Sequence, residues 1–325
     1  MQDQLRPGDT TRTEPETDTP AVVERRDVAF TSHGVTCRAW FYVPAEGVRG
    51  KRPIVVMAHG LGGTREASLE PFARRFARDG LLVLLFDYRN IGASDGEPRQ
   101  VVSLSNQLED WQAAIAFARS MPEVDPDRVG LWGTSMSGGH VIVTAARDPR
   151  IAAISAQCPM VDGLLSARMV RHDLGPRAVL HHVFSAITDL VRAGLGMSPK
   201  YVPLVGEPGT HAAMASHDAY EGVMEIMPPH WRNELAARVF LAMPFYRPVH
   251  YARDVKCPAL IIACEHDSVV STKATRKAAQ QMGERARLIE LPMGHFDVYR
   301  GEGFERASEA QAAFLNEMLN REISR

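Results

Sequence analysis

Cysteine is sparse, and no two cysteines are spaced as C-x-x-C, which leaves neither a zinc ribbon nor a dithiol redox motif. Cys37, Cys158, Cys257 and Cys264 are expected as buried free thiols in a reducing compartment. Neither sign of charge dominates. Thirty-seven basic and 39 acidic side chains give a formal net charge of −2. So balanced a chain has no global basic field for nucleic acid or an anionic membrane, although a local patch stays open. Long apolar runs are missing too. The longest, residues 81–86, falls far short of the about 20 residues that a spanning helix needs. The first residues lack the apolar core of a secretory signal. These absences predict a cytoplasmic protein with no nucleic-acid partner and no membrane span.

What is present is ordinary globular composition, 45 % hydrophobic and 23 % charged over 325 residues. A chain of this length buries about three quarters of its unfolded surface, so its core needs no disulfide or metal.

Residues 1–22 are polar, rich in Thr, Pro, Asp and Glu, and are expected to be a disordered tail. Residues 35–43 read as a strand, paired in a hairpin with residues 25–31. Short unbroken apolar runs follow at 53–58, 81–86, 129–132, 151–154, 259–263 and 286–291. Runs without alternation suit strands buried on both faces, as in a parallel sheet. Helical spacing predicts helices over 66–79, 103–119, 137–147, 272–282 and 304–320. Strands alternating with helices imply a doubly wound, mostly parallel α/β sheet. Residues 163–250 break the rhythm. They are too long for a structureless loop and read as a helical cap inserted in a core of residues 23–162 and 251–325. The cap is rich in Met and aromatic residues, from Met169 and Phe184 to Met243 and Phe245, and some of them should face a cleft below it.

One segment concentrates chemical signals: Gly133-Thr134-Ser135-Met136-Ser137-Gly138-Gly139-His140, after the strand at 129–132. A serine hydroxyl is a weak nucleophile unless held exposed beside a base. A tight strand-to-helix turn holds it so and aims a helix N-terminus at the oxygen that gains charge. Ser135 is the candidate and Ser137 its rival. Past later strands come Glu265 and Asp267, either of which could orient a base, and then His295. Histidines 181, 182, 211, 217, 230 and 250 lack metal-ligand spacing, so no metal is expected. Gly60, Gly62 and Gly63 fall short of a complete dinucleotide fingerprint, so no cofactor is implied.

The segment around Ser135 resembles the nucleophile elbow of α/β hydrolases, Gly-x-Ser-x-Gly, with Ser137 in place of the last glycine. The resemblance extends over roughly residues 30–160 and 250–320. His59-Gly60-Leu61-Gly62 resembles the family's oxyanion loop, which implies that the backbone N–H groups of Leu61 and Met136 form the oxyanion hole, with His59 as support. The resembling pattern puts the acid before a small-Val-Val segment, hence Asp267 rather than Glu265. Ser135, Asp267 and His295 then complete the family's order. Residues 86–96 resemble the family's loop after its second parallel strand, and 125–129 the lead-in to the elbow of dienelactone-hydrolase and prolyl-peptidase branches. Residues 132–140 and 228–234 look like hydrolases related to X-Pro peptidases, some of them thioesterases or acyltransferases of polyketide pathways.

The implied activity is a serine hydrolase acting on an ester or thioester, with an apolar small-molecule acyl substrate and an acyl-enzyme on Ser135. An acyltransferase or a peptidase is the alternative, and a receptor that kept the fold is the non-enzyme alternative. A homodimer is compatible with the sequence. A histidine base must be neutral to accept a proton, so activity should fall in acid.

Overall fold

The computed structural model describes residues 23–44 and 50–321. The tail expected over 1–22 lies outside the described residues. β1 (Glu24–Ser32) and β2 (Val35–Val43) form an antiparallel hairpin. Both turn residues, His33 and Gly34, have positive φ, which matches the twist of the flanking strands. Then follow β3 (Arg52–Ala58), α1 (Glu70–Arg78), β4 (Leu82–Phe86), α2 (Leu104–Ser120), β5 (Val124–Thr134), α3 (Met136–Arg147) and β6 (Ile151–Gln157). An insert carries α4 (Gly163–Gly194), β7 (Tyr201–Val202), α5 (Ala219–Ile226), β8 (Leu235–Ala236) and α6 (Val239–Ala242). The chain closes with β9 (Ala259–Cys264), α7 (Thr272–Met282), β10 (Ala286–Leu291) and α8 (Gly301–Leu319).

One sheet of eight strands has the order β1-β2-β4-β3-β5-β6-β9-β10. Every pair from β4 to β10 is parallel, and β2 is antiparallel to both neighbours. This is the doubly wound, mostly parallel sheet of the α/β-hydrolase fold. The chain reverses its direction of travel across the sheet between β3 and β5, and the C-terminal ends of strands at such a switch point leave a crevice.

The central strands read as unbroken apolar runs because both faces are covered. In β3, Ile54, Val56 and Ala58 belong to one apolar cluster with Trp111 of α2, Val141 of α3 and Ala278 of α7. Val55 and Met57 pack on the other face with Phe72 of α1 and Leu315 of α8. Each such side chain contributes about 1.5–3 kcal/mol when fully buried. α1 starts later than the spacing predicts. Pro71 suits its first turn, where no N–H is needed, and Ser68 just before it has φ 53°.

The insert is helical only in part. α4 bends at Gly175, with φ 79°, just before Pro176, and β7 pairs antiparallel with β8. Asp162 caps α4 by accepting from the N–H groups of Leu164 and Leu165, and it pairs with Arg247 at 2.8 Å. The two ends of the insert are thus tied together. Higher up, buried Asp189 pairs with Arg238 at 2.7 Å and accepts from Lys200 N–H, which holds α4 to the segment between β8 and α6. A further apolar cluster that includes Met136, Met160, Leu204, Leu235 and Val270 joins the insert to the C-terminal edge of the sheet. No helix among the described residues is long and apolar enough to cross a membrane.

Candidate active site

β5 enters α3 through Ser135, at φ 54° and ψ −117°. Such backbone costs a non-glycine residue about 1–3 kcal/mol and persists only where the surroundings over-determine it. Here Ser135 N–H donates to Gln157 O at 2.8 Å, and Ser135 O accepts from Met160 N–H at 2.8 Å. The small neighbours are a steric necessity. A Cβ on Gly133 would lie 2.2 Å from Ser137 O, and one on Gly139 2.3 Å from Met160 O.

Ser137, the rival serine, is fully buried and committed to its neighbours. Trp111 Nε1–H donates to the Tyr88 hydroxyl at 2.8 Å, Tyr88 O–H donates to Ser137 Oγ, and Ser137 O–H donates to the His59 carbonyl. The residue that departs from the glycine of the elbow pattern therefore ties the elbow to the loop after β3.

That loop carries His59 and Leu61. His59 is buried, and its Nδ1–H donates to Gly60 O at 2.9 Å. Burial, opposed by the weaker pull of Asp87, holds its pKa below the ordinary histidine value, so the ring is neutral and serves as a support. Asp87, at the end of β4, accepts from the N–H groups of Arg65 and Ala93 at 2.7 and 3.0 Å and so ties the loop after β3 to the loop after β4. Met136 opens α3, where the first N–H groups have no intrahelical acceptor. Leu61 N–H has no backbone acceptor among the described residues. Leu61, Ser135 and Met136 line a common cavity.

The acid and base come from loops after β9 and β10. Asp267 Oδ1 accepts from the N–H groups of Val269 and Val270, each at 2.8 Å, and Oδ2 accepts from His295 Nδ1–H at 2.7 Å. Both side chains of the pair are buried. Glu265, the rival acid, is exposed.

Two cavities meet at Ser135. One, of about 40 Å³, is lined by Ser135, His295, Thr134, Met214 and Tyr299 among others. The other, of about 180 Å³, shares Leu61, Ser135 and Met214 with it and extends between Val170, Phe240, Met243 and Val270. Of the insert's Met and aromatic residues, Met214, Phe240 and Met243 face the cleft, whereas Met197 and Phe245 are exposed on the surface.

Several supports were not legible. Trp231 Nε1–H donates to Gly62 O at 2.8 Å, so the 228–234 stretch braces the loop after β3. Asp218 of the insert accepts from Ser268 Oγ at 2.5 Å, next to Asp267. Tyr299 and Thr134 bond through their hydroxyls beneath the elbow. Nothing in the local sequence pairs such distant residues.

A cysteine pair lies behind the site, with Cys158 and Cys264 sulfurs 3.1 Å apart. Donor atoms of Cys158, Asp267 and His295 lie within 4.8 Å of one another. Within this set, His295 Nδ1 and Asp267 Oδ2 are already bonded to each other at 2.7 Å, and hydrogen bonding to Cys264, and then burial, raise the Cys158 thiol well above its ordinary value.

A doubly wound sheet that presents a strained serine after β5 and an Asp–His pair past its later strands defines the protein as an α/β hydrolase. Residues 49–295 match the family described as serine aminopeptidase, S33, and the chain is an enzyme belonging to that family. It is 41 % identical over 295 residues to the quorum-quenching protein AidA of Acinetobacter baumannii, covering 90 % of this chain and 95 % of that one. It is 29 % identical over 309 residues to the polyketide transferase af380 of Aspergillus fumigatus, covering 92 % and 100 %. It is 27 % identical over 275 residues to the thiohydrolase aneE of Aspergillus aculeatus, covering 82 % and 86 %.

Proposed function

We propose that this hydrolase cleaves a carboxylic ester or thioester through an acyl-enzyme on Ser135. The observation that carries the reading is the junction at Ser135 of a small cavity beside His295 and a larger apolar one beside Leu61 and Met136. His295 takes the Ser135 proton as Oγ attacks the carbonyl. Asp267 holds the ring in the right tautomer and stabilises its charged form. The N–H groups of Leu61 and Met136 receive the oxyanion, each worth about 3–4 kcal/mol of barrier. His295 then gives the proton to the departing oxygen or sulfur, so the leaving group exits on the His295 side, and the acyl chain lies in the apolar cavity. Residues 163–250 act as the cap over this cavity.

The small cavity, about 40 Å³, has room for about three waters at roughly 10–15 Å³ each. Water beside the base favours hydrolysis as the second half-reaction. The names thiohydrolase and polyketide transferase borne by two relatives are both compatible with an acyl-enzyme, which ends on water in the one case and on another nucleophile in the other.

Labelling with a fluorophosphonate probe tests the nucleophile. Wild type and Ser137→Ala should label and Ser135→Ala should not. With p-nitrophenyl esters from C2 to C12, turnover should rise from C2 and fall again by C12. Labelling that survives in Ser135→Ala, or none in wild type, rejects the reading.

A further inference from the structure

The second half of α4 carries an apolar stripe that nothing among the described residues covers. Phe184 is 72 % exposed, Leu195 69 % and Leu180 68 %, with Ile187 and Val191 about half exposed. Val183 and Leu190 flank them. On a helix these positions recur every three or four residues and share one face. Monomeric proteins seldom leave so continuous an apolar patch in water.

We infer that this face joins two copies of the chain through antiparallel packing of α4 against itself across a two-fold axis. Two observations name a second copy as the occupant. The stripe is nearly symmetric about Ile187. Turned end for end about that residue, Phe184 falls opposite Leu190, Val183 opposite Val191, and Leu180 opposite Gly194. A two-fold contact requires such self-complementarity. The exposed apolar area of the stripe is on the order of 800 Å², which matches the about 800 Å² that one partner gives to a standard interface. Of the basic side chains that border the stripe, Arg177 falls opposite Met197, His181 opposite Ala193 and Arg192 opposite the buried His182.

The second copy also borders the site. Val183 belongs to the stripe and lines the larger cavity, which its neighbour His182 and Val179, one turn back, line as well. Packing another helix on Val183 therefore backs one cavity wall. Asp189 and its Arg238 partner, on the opposite side of α4, hold the helix in place.

Sedimentation equilibrium of the full chain tests this. Wild type at micromolar concentration should run at twice 35.9 kDa, and Ile187→Glu at 35.9 kDa with an unchanged circular dichroism spectrum. A cysteine introduced by Ile187→Cys should form an intermolecular disulfide under mild oxidation, because residue 187 meets itself at the axis. A cysteine from Leu180→Cys alone should not. A monomeric wild type, or a dimer that Ile187→Glu leaves intact, overturns the inference. So does a monomer that instead pellets with vesicles containing phosphatidylserine, which would give the stripe to a membrane surface. The readout is mass and cross-linking, so it stands apart from any failure of the proposed chemistry.

Discussion

His295 Nδ1 donates to Asp267 Oδ2 across 2.7 Å, while two backbone N–H groups at 2.8 Å hold the other carboxylate oxygen. The acid is thus oriented by its own loop before the histidine reaches it. Asp267→Asn keeps the shape but offers the ring a donor, which favours the wrong tautomer. We expect kcat on p-nitrophenyl esters to fall by about 10³–10⁴-fold. Glu265→Gln, on an exposed side chain, should change it less than twofold. Comparable losses in the two variants would remove Asp267 from the assignment.

Ser137 gives a prediction of a different kind. Its removal leaves the Tyr88 O–H without an acceptor and the His59 carbonyl without its donor, both in the buried interior. Ser137→Ala should therefore cost about 1–3 kcal/mol of stability. Fluorophosphonate labelling at Ser135 should persist. Urea denaturation measures the first effect, and unchanged stability would mean that the relay from Trp111 to His59 contributes nothing.

Gly133→Ala should be far more damaging than either. The added Cβ would lie 2.2 Å from Ser137 O, and backbone cannot yield as a flexible side chain can. Loss of more than about 3 kcal/mol, or no soluble protein, is expected. A stable, fully active Gly133→Ala enzyme would contradict the elbow geometry.

Stability should also depend on pH through His140. Its Nε2–H donates to Gln107 Oε1 at 3.0 Å, and its Nδ1 accepts from the Tyr246 hydroxyl. Burial, with a smaller push from His59, lowers its pKa to about 3. Unfolded, a histidine gains its proton near 6.5. Below that pH the unfolded chain binds a proton that the folded chain refuses, so stability is lost as pH falls from about 6.5 towards 3. At pH 5 this residue alone accounts for about 2 kcal/mol. His140→Asn should flatten the dependence between pH 7.5 and 5. An unaltered slope would show that His140 is not the group that titrates.

In the larger cavity, Ala167→Phe should shorten the acyl chain accepted, since residue 167 lies on its α4 wall. Turnover of C8 and longer esters should fall at least tenfold relative to C4. A chain-length profile that does not move would place the acyl group elsewhere.

The catalytic candidates were legible because their signals are local. A strand, a run of small residues and one serine specify the turn at residues 133–139 within a few positions, since each glycine answers a backbone contact only four to 21 residues away. Asp267 and His295 each follow a buried strand closely, and the apolar runs are unbroken because helices cover both faces of the sheet. The insert was less legible. Gly175 and Pro176 interrupt its helical pattern, and β7 and β8 are two residues each, too short for any periodicity.

From residues alone came the sheet, a consequence of apolar pattern, and the small-residue turn that offers Ser135 and Ser137; the order of serine, acid and base was what the resemblance to α/β hydrolases implied. Folding in three dimensions was needed to separate the two serines by their partners, and to leave Glu265 in water while Asp267 meets His295. It also divided the insert's apolar residues among core, cavity wall and open surface. Those outcomes depend on contacts between segments 28 to 169 residues apart, such as Asp267 with His295, Tyr88 with Ser137 and Trp231 with Gly62. A chain read in order holds no local trace of which of its distant parts will touch.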